Sequence, residues 1–136
     1  LAWAMTSVLS LIVSIFLFIQ SPEKEFDRVN SIDTIISAID SGSSSDLAKY
    51  FDSSVSLNVN GLQGDYSKNQ AELVLKDFFK KNPSMGFTLV FRSETNPSLS
   101  SYIGDYQTGQ GLFKVFIKVS QQASDFKIYS LEFVKG

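Results

Sequence analysis

Two reactive residue types are absent from this chain of 136 residues, which contains no cysteine and no histidine. Without cysteine there is no disulfide, no thiolate metal site and no lipid-modified cysteine, so stability must come from packing. Without histidine the chain lacks the commonest metal ligand, the commonest general base and the usual switch near neutral pH. We therefore expect no metal site and no cofactor, and any chemistry would depend on carboxylates, tyrosines and amides.

Charge is also sparse, with 12 basic and 14 acidic residues and a formal net charge of −2. The lysines are dispersed among carboxylates, so no basic patch that would bind nucleic acid is predicted. Hydrophobic residues make up 43% of the sequence and include 12 Phe and 5 Tyr, which is typical of a folded domain. No glycine-rich phosphate loop and no nucleophile elbow is present, so the sequence contains no recognisable catalytic motif.

The N-terminal run from Leu1 to Ile19 carries no charge. As a helix it would be about 28 Å long, which is close to the hydrocarbon thickness of a bilayer. Residues 1–20 are predicted to be either a signal peptide or a retained membrane anchor, and Pro22 disfavours cleavage after Ser21. Either alternative predicts export to the periplasm or cell envelope, with membrane contact only through residues 1–19.

Residues 21–27 are predicted to be a charged linker, and residues 28–136 a single α+β domain. A first helix is predicted over residues 27–41 from apolar residues at three- and four-residue spacing, and it ends at Gly42. Serines and Asp46 are expected to cap a short second helix, which is indicated by Leu47, Ala48, Tyr50 and Phe51.

A long third helix is predicted to begin at a capping box formed by Ser67 and Gln70, and to end at Asn82 and Pro83. Alternating apolar residues predict a strand over residues 55–59, followed by a hairpin turn at residues 61–64. Four further strands are predicted as an antiparallel meander over residues 87–95, 101–108, 111–120 and 126–134.

Three segments carry a family resemblance: DLAKYFDSSVSLNVNG, GDYSKNQAELVLKDFFKKNP and GLFKVFIKV. With the order of the elements, they make the chain similar to the nuclear-transport-factor-2-like (cystatin-like) superfamily. Within it, the chain resembles an exported Bacteroidota family named domain of unknown function 4783. The matching positions are Asp52, residues 66–68 and residues 78–83, and the resemblance covers residues 32–134. It implies helices packed on a curved antiparallel sheet that forms a cone, and it implies no function.

Folds of this superfamily often enclose a pocket between sheet and helices, where members that resemble ketosteroid isomerase pair a carboxylate with a tyrosine. The resemblance therefore implies these candidate pocket residues: Tyr50, Asp52, Tyr66, Phe78, Phe91 and Tyr106. No catalytic role is assigned, because Asp52 also fits a strand-entry position and Asp105 an exposed strand position. Tyr102 and Tyr106 share one strand face near Lys114 or Phe116. They form either a packing or self-association surface or a half-exposed pair.

Three functional hypotheses follow. The first is a non-catalytic envelope module that binds a small apolar ligand or a protein partner through the pocket or the outer sheet face. The second is a proton-transfer enzyme with a buried carboxylate beside a tyrosine, and the third is a structural module that forms homodimers through the sheet. An enclosed apolar cavity would favour the small-ligand form, and a core filled by Phe78, Phe79, Phe91 and Phe113 would contradict it. Exposed carboxylates would contradict the enzyme.

Overall fold

The computed structural model describes residues 23–123 and 125–136 of the chain. The predicted signal peptide or anchor at residues 1–20 lies outside the described residues, as does the start of the predicted linker. Within the described ranges, no helix combines the length and the apolar character that crossing a membrane requires. Residues 31–136 form one compact unit.

Three helices are present: α1 spans Glu23–Asp40, α2 spans Ser44–Ala48 and α3 spans Lys68–Lys81. The predicted capping box of α3 is confirmed. The Ser67 hydroxyl accepts from the Gln70 amide at 3.3 Å, and the Gln70 side chain accepts from the Ser67 amide at 3.3 Å. The Ser43 hydroxyl accepts from the Asp46 amide and caps α2, while Asp46 itself lies in the first turn.

Six strands form one sheet: β1 Phe51–Val59, β2 Leu62–Ser67, β3 Ser84–Asn96, β4 Leu99–Thr108, β5 Gly111–Gln122 and β6 Asp125–Lys135. The prediction that the second helix includes Phe51 is wrong, because Phe51 begins β1 and lies opposite Ile128 of β6. Backbone pairing with a strand far along the chain therefore overrides the local helical spacing.

The strand order is β2-β1-β6-β5-β4-β3. The meander and the first hairpin are antiparallel, but β1 and β6 pair in parallel, so the sheet is mixed. No hairpin joins β1 to β6, since β2, α3 and the other strands lie between them along the chain, and their relative direction is therefore free of a turn constraint.

The core lies between the inner face of the sheet and the helices. Leu75, Phe78 and Phe79 of α3 are buried, as are alternate residues of β5 from Phe113 to Val119. Gly104 of β4 fits the same face because the Phe87 ring covers it. A Cβ at Gly104 would overlap that ring and would lie 2.9 Å from the carbonyl oxygen of Thr88. One face of the sheet thus packs against the helices, and the other face points away from them.

Candidate functional site

The space between α3 and the sheet is filled by aromatic rings. Their centroids lie 4.8 to 6.5 Å apart in tilted and edge-to-face pairs. Each of the rings is at most 6% exposed. The cluster comprises Phe78, Phe79, Tyr106, Phe113 and Phe133. Two predicted pocket residues, Phe78 and Tyr106, are therefore brought together, but as packed core and not as walls of an enclosed cavity.

The Tyr106 hydroxyl is held by the backbone. It donates to the carbonyl oxygen of Asn82 at 2.6 Å, which links β4 to the end of α3. Burial raises the pKa of Tyr106 to about 12, and a hydrogen bond with Ser84 partly opposes that increase. The phenol is therefore protonated at neutral pH, and its proton is shared with a carbonyl.

Replacing Tyr106 with phenylalanine is expected to remove a pH dependence of stability. Because the folded-state pKa of about 12 exceeds the unfolded value of about 10, the folded state binds the phenol proton more tightly. The contribution of this phenol to the free energy of unfolding is therefore fully present below pH 10, and it is lost as the pH rises from about 10 to about 12. In Tyr106→Phe this fall should be smaller, and at pH 7 the variant should lose about 0.5–1.5 kcal/mol with the hydrogen bond. Urea unfolding of both proteins from pH 8 to pH 12 measures this, and parallel curves would contradict it.

The remaining inner candidates lie elsewhere. Tyr66 is half-buried on β2 opposite Val55, and the Tyr50 carbonyl accepts from the Ile128 amide at 2.7 Å beside the start of β1. The Asp52 carboxylate accepts from the Ser53 amide at 2.8 Å, which is the strand-entry role expected of it. The Tyr50 and Tyr66 side chains are partly buried and pack against the core, while the Asp52 carboxylate bonds the backbone of its own strand.

Among the described side chains, no carboxylate is buried. Asp105 faces outward from β4 and forms an ion pair with Lys114 of β5, with 2.6 Å between Oδ1 and Nζ. Acidic side chains of the described residues also form no group of three or more that could hold a metal ion. The buried carboxylate beside a tyrosine that the proton-transfer hypothesis requires is thus not formed by residues 31–123 and 125–136.

Tyr102 and Tyr106 share one strand face as predicted, and the packing alternative is confirmed, but the predicted neighbours Lys114 and Phe116 and the half-exposed alternative are wrong. Both side chains are 0% exposed, and they lie opposite Ile117 and Phe113 on the inner face. The guanidinium of Arg92 lies 5.9 Å from the centroid of the Tyr102 ring. The pair therefore belongs to the core and its margin, and it provides no surface for self-association.

Phe91 is predicted to line the inner pocket, and this is also wrong, because its side chain is 51% exposed on the opposite face. Leu89 pairs with Gly104 and Phe91 pairs with Ile103, so Val90 is an extra residue in β3. Such a β-bulge changes the side-chain alternation beyond it by one residue. The bulge consequently turns Phe91 outward and places Arg92 opposite Tyr102.

An apolar row crosses the outer face of the sheet. Phe91 of β3 lies opposite Ile103 of β4, which lies opposite Phe116 of β5. The neighbours of Phe116 along its strand, Val115 and Ile117, are fully buried on the inner face, so Phe116 points away from the helices. We call Phe91, Ile103 and Phe116 the outer row.

A shallow groove of about 200 Å³ lies between the β1–β2 turn and the end of α3. Phe78 and Val59 are nearly buried there, while Leu62 is exposed. Asp77 and Lys81 in its lining form an ion pair, with 3.0 Å between Oδ2 and Nζ. The groove has room for a single side chain, and its two charged groups already pair with each other.

Residues 32–133 match the sequence model of a family described as domain of unknown function (DUF4783). The chain belongs to this family. A DUF4783 family protein from Bacteroides ovatus is 27% identical to it, with a TM-score of 0.71 over 76% of this chain and 93% of that one. No curated protein matches the sequence.

The fold of this DUF4783 domain is shared more widely. A domain of unknown function with a cystatin-like fold from Nostoc punctiforme matches with a TM-score of 0.64, at 12% identity over 86% of this chain and 80% of that one. An NTF2-like protein of unknown function from Silicibacter pomeroyi matches with a TM-score of 0.59, at 14% identity over 84% and 97% of the two chains. The predicted cystatin-like, NTF2-like fold is confirmed.

Sequence reasoning named the outer sheet face of this DUF4783 domain as a binding surface, but it did not predict that Phe91 and Ile103 join Phe116 there. One signal was present, because Leu112 and Phe116 alternate with the buried residues of β5 and so mark an apolar outer face. The contribution of Phe91 had no local signal, since an apolar run of Leu89, Val90 and Phe91 does not reveal where a bulge lies.

Proposed function

We propose that this DUF4783 domain is a non-catalytic protein-binding module of the cell envelope, and that it binds its partner through the outer face of its sheet. The observation that supports this proposal is the outer row, which places two phenylalanines and an isoleucine side by side on three neighbouring strands. Apolar side chains that are contiguous on a surface are typical of interaction sites, whereas scattered ones are not.

The composition of the outer face fits an interface with a protein. Aromatic residues are enriched at the centres of interfaces, where polar residues surround them. Here the Asp105–Lys114 ion pair lies on one side of the outer row, and Lys118 lies on the other side. An apolar centre between charged margins would give affinity at the centre and orientation at the margins.

The dimensions of the face also fit a protein partner. The six strands are 6 to 13 residues long. At about 3.3 Å per residue and about 4.8 Å between strands, one side of the sheet presents roughly 950 Å². A standard interface buries about 800 Å² on each partner.

A small ligand needs a concave site instead, and the aromatic cluster fills the inner space where such a site would lie. The apolar segment at residues 1–19 supports the envelope location.

Site-specific photocrosslinking of the full-length chain in the cells that produce it tests this function. A benzophenone amino acid at position 91 is expected to give a discrete adduct with a protein. The matched control is position 73 on α3, where Leu73 is 64% exposed on a helix surface. An adduct at position 91 that is absent or much weaker at position 73 supports the proposal. No adduct at position 91, or equal adducts at both positions, contradicts it.

A further inference from the structure

We infer that the free edge of β2 joins two copies of this chain, whose β2 strands pair antiparallel about a two-fold axis at Gly64. In the strand order, β2 lies at the opposite end from the outer row, whose residues belong to β3, β4 and β5. The contact is therefore separate from the proposed binding face and adds a second interaction surface to the domain.

The direction of the backbone groups of β1 is set by one hydrogen bond at its end. The Asn60 amide donates to the carbonyl oxygen of Phe133 in β6 at 2.9 Å. Backbone groups alternate in direction along a strand, so those of the preceding residue, Val59, point toward β2. Val59 and Leu62 flank the two-residue turn and are therefore the first pair that exchanges backbone hydrogen bonds between β1 and β2.

Two residues of β2 have their backbone groups directed away from β1. The pairing is regular from Leu62 onward, so Gln63 and Asp65 point to the side where the described sheet has no further strand. Ser67 points to the same side, but its amide already donates to the Gln70 side chain at 3.3 Å. An added strand can thus exchange four backbone hydrogen bonds with Gln63 and Asp65.

This edge has few of the features that prevent strands from pairing. Edge strands are usually protected by bulges, proline or lysine. The other edge, β3, shifts its pairing with β4 at three places, whereas β2 pairs with β1 without a shift. The segment LQGDYS of β2 contains neither proline nor lysine, and its one charge is Asp65. The register of an added strand therefore depends on what lies opposite this carboxylate.

An axis at Gly64 satisfies the outward-pointing groups, and the neighbouring axes do not. It places Gln63 of each copy opposite Asp65 of the other, so four backbone hydrogen bonds form and an amide lies beside each carboxylate. The two carboxylates are then diagonal neighbours about 8 Å apart. An axis at Asp65 would put them directly opposite each other, and an axis at Gln63 would pair Asp65 with Gly61 in the turn. A second copy thus supplies the complementary groups by symmetry.

The same axis pairs apolar side chains on the inner face. Leu62 lies on this face because its partner Val59 is buried there, yet Leu62 is 74% exposed. The axis places it opposite the half-buried Tyr66 of the other copy. A Cβ at Gly64 would lie 3.1 Å from Cε2 of Tyr66, so the glycine leaves room for the rings of both copies. Contact between leucine and tyrosine adds to the backbone hydrogen bonds.

Cysteines at two positions test the pairing and its register in the full-length chain. The chain contains no cysteine, so Gln63→Cys and Asp65→Cys each introduce a sole thiol. Across the axis the two positions have Cα atoms about 5.5 Å apart, which suits a disulfide, whereas two copies of one position are about 8 Å apart, which does not. Copies with different tags are produced together, extracted in mild detergent and briefly oxidised with copper phenanthroline.

The mixture of Gln63→Cys and Asp65→Cys should give at least about fivefold more covalent dimer than either variant alone. The matched control is a mixture of Lys76→Cys and Lys80→Cys, two exposed positions on α3, which should give little dimer. A mixture that gives no more dimer than the separate variants, or that forms its disulfide with a different protein, overturns the pairing of two copies.

Charge at position 63 provides a second measurement that needs no thiol. Gln63→Lys places a cation opposite Asp65 of the other copy twice, and it should raise the co-purification of two tagged copies about threefold. Gln63→Glu should lower it about threefold. The same two substitutions at Gln107, an exposed glutamine of the interior strand β4, should change nothing. Equal co-purification of Gln63→Lys and Gln63→Glu overturns the inference.

These outcomes are independent of the proposed function. The adduct at position 91 reports on the outer face, and the thiols at positions 63 and 65 report on the β2 edge. If the β2 strands do not pair while position 91 yields its adduct, the edge inference is wrong and the binding function stands. If the β2 strands pair while position 91 yields no adduct, the edge inference stands and the binding function is wrong.

Discussion

Phe78→Ala is expected to lower the free energy of unfolding of the full-length chain by about 3–5 kcal/mol. The Phe78 side chain is 4% exposed, and its ring centroid lies 4.8 to 6.1 Å from those of Phe79, Tyr106, Phe113 and Phe133. Truncation to alanine loses the transfer free energy of the ring and leaves a cavity. Rigid aromatic neighbours on both α3 and the sheet can close such a cavity only in part.

Leu73→Ala provides the matched control, because Leu73 is on the same helix but is largely exposed. An exposed substitution of this kind should change stability by no more than about 0.5 kcal/mol. Urea unfolding followed by circular dichroism at pH 7 gives both values. Similar losses in the two variants would show that the space beneath α3 is not densely packed, and would reopen the interior as a ligand site.

Local signals in the sequence predicted the local parts of the fold. The capping box of α3 depends on Ser67 and Gln70, three residues apart, and it formed as expected. The alternation of β5 depends on consecutive residues and gave the correct inner face from Phe113 to Val119. Such features depend on neighbours along the chain, so a sequence alone contains them.

The register of β4 on β5 could have been predicted from the sequence. A two-residue turn between Thr108 and Gly111 places Tyr106 opposite Phe113, and therefore on the buried face. The predicted strand ends at residues 108 and 111 already imply this pairing. The expectation of a half-exposed tyrosine pair near Lys114 ignored the constraint that the turn imposes.

Features that depend on pairing between distant strands could not be predicted from the sequence. The bulge at Val90 exists only relative to β4, and the strand start at Phe51 exists only through β6. Because the bulge decides on which face Phe91 lies, the candidate site itself depended on a non-local feature. The inner pocket was implied by the family resemblance, and the bulge explains why Phe91 lies in the outer row and not in that pocket.

Phe116→Ser tests the outer row directly. Phe116 lies between Ile103 of β4 and Glu132 of β6 on the outer face, while its neighbours Val115 and Ile117 are buried on the inner face. The substitution therefore removes apolar area from the outer face and leaves the core residues in place. Leu73→Ser on α3 removes an exposed apolar side chain away from the sheet and is the matched control.

The decisive measurement is therefore the yield of the protein adduct from full-length chains that carry the benzophenone at position 91 together with either substitution. Phe116→Ser should lower the adduct yield at least about tenfold, since aromatic residues at the centre of an interface contribute on the order of 2 kcal/mol to binding. Leu73→Ser should leave the yield unchanged. A folded Phe116→Ser chain that gives as much adduct as the unsubstituted chain would contradict protein binding through the outer face.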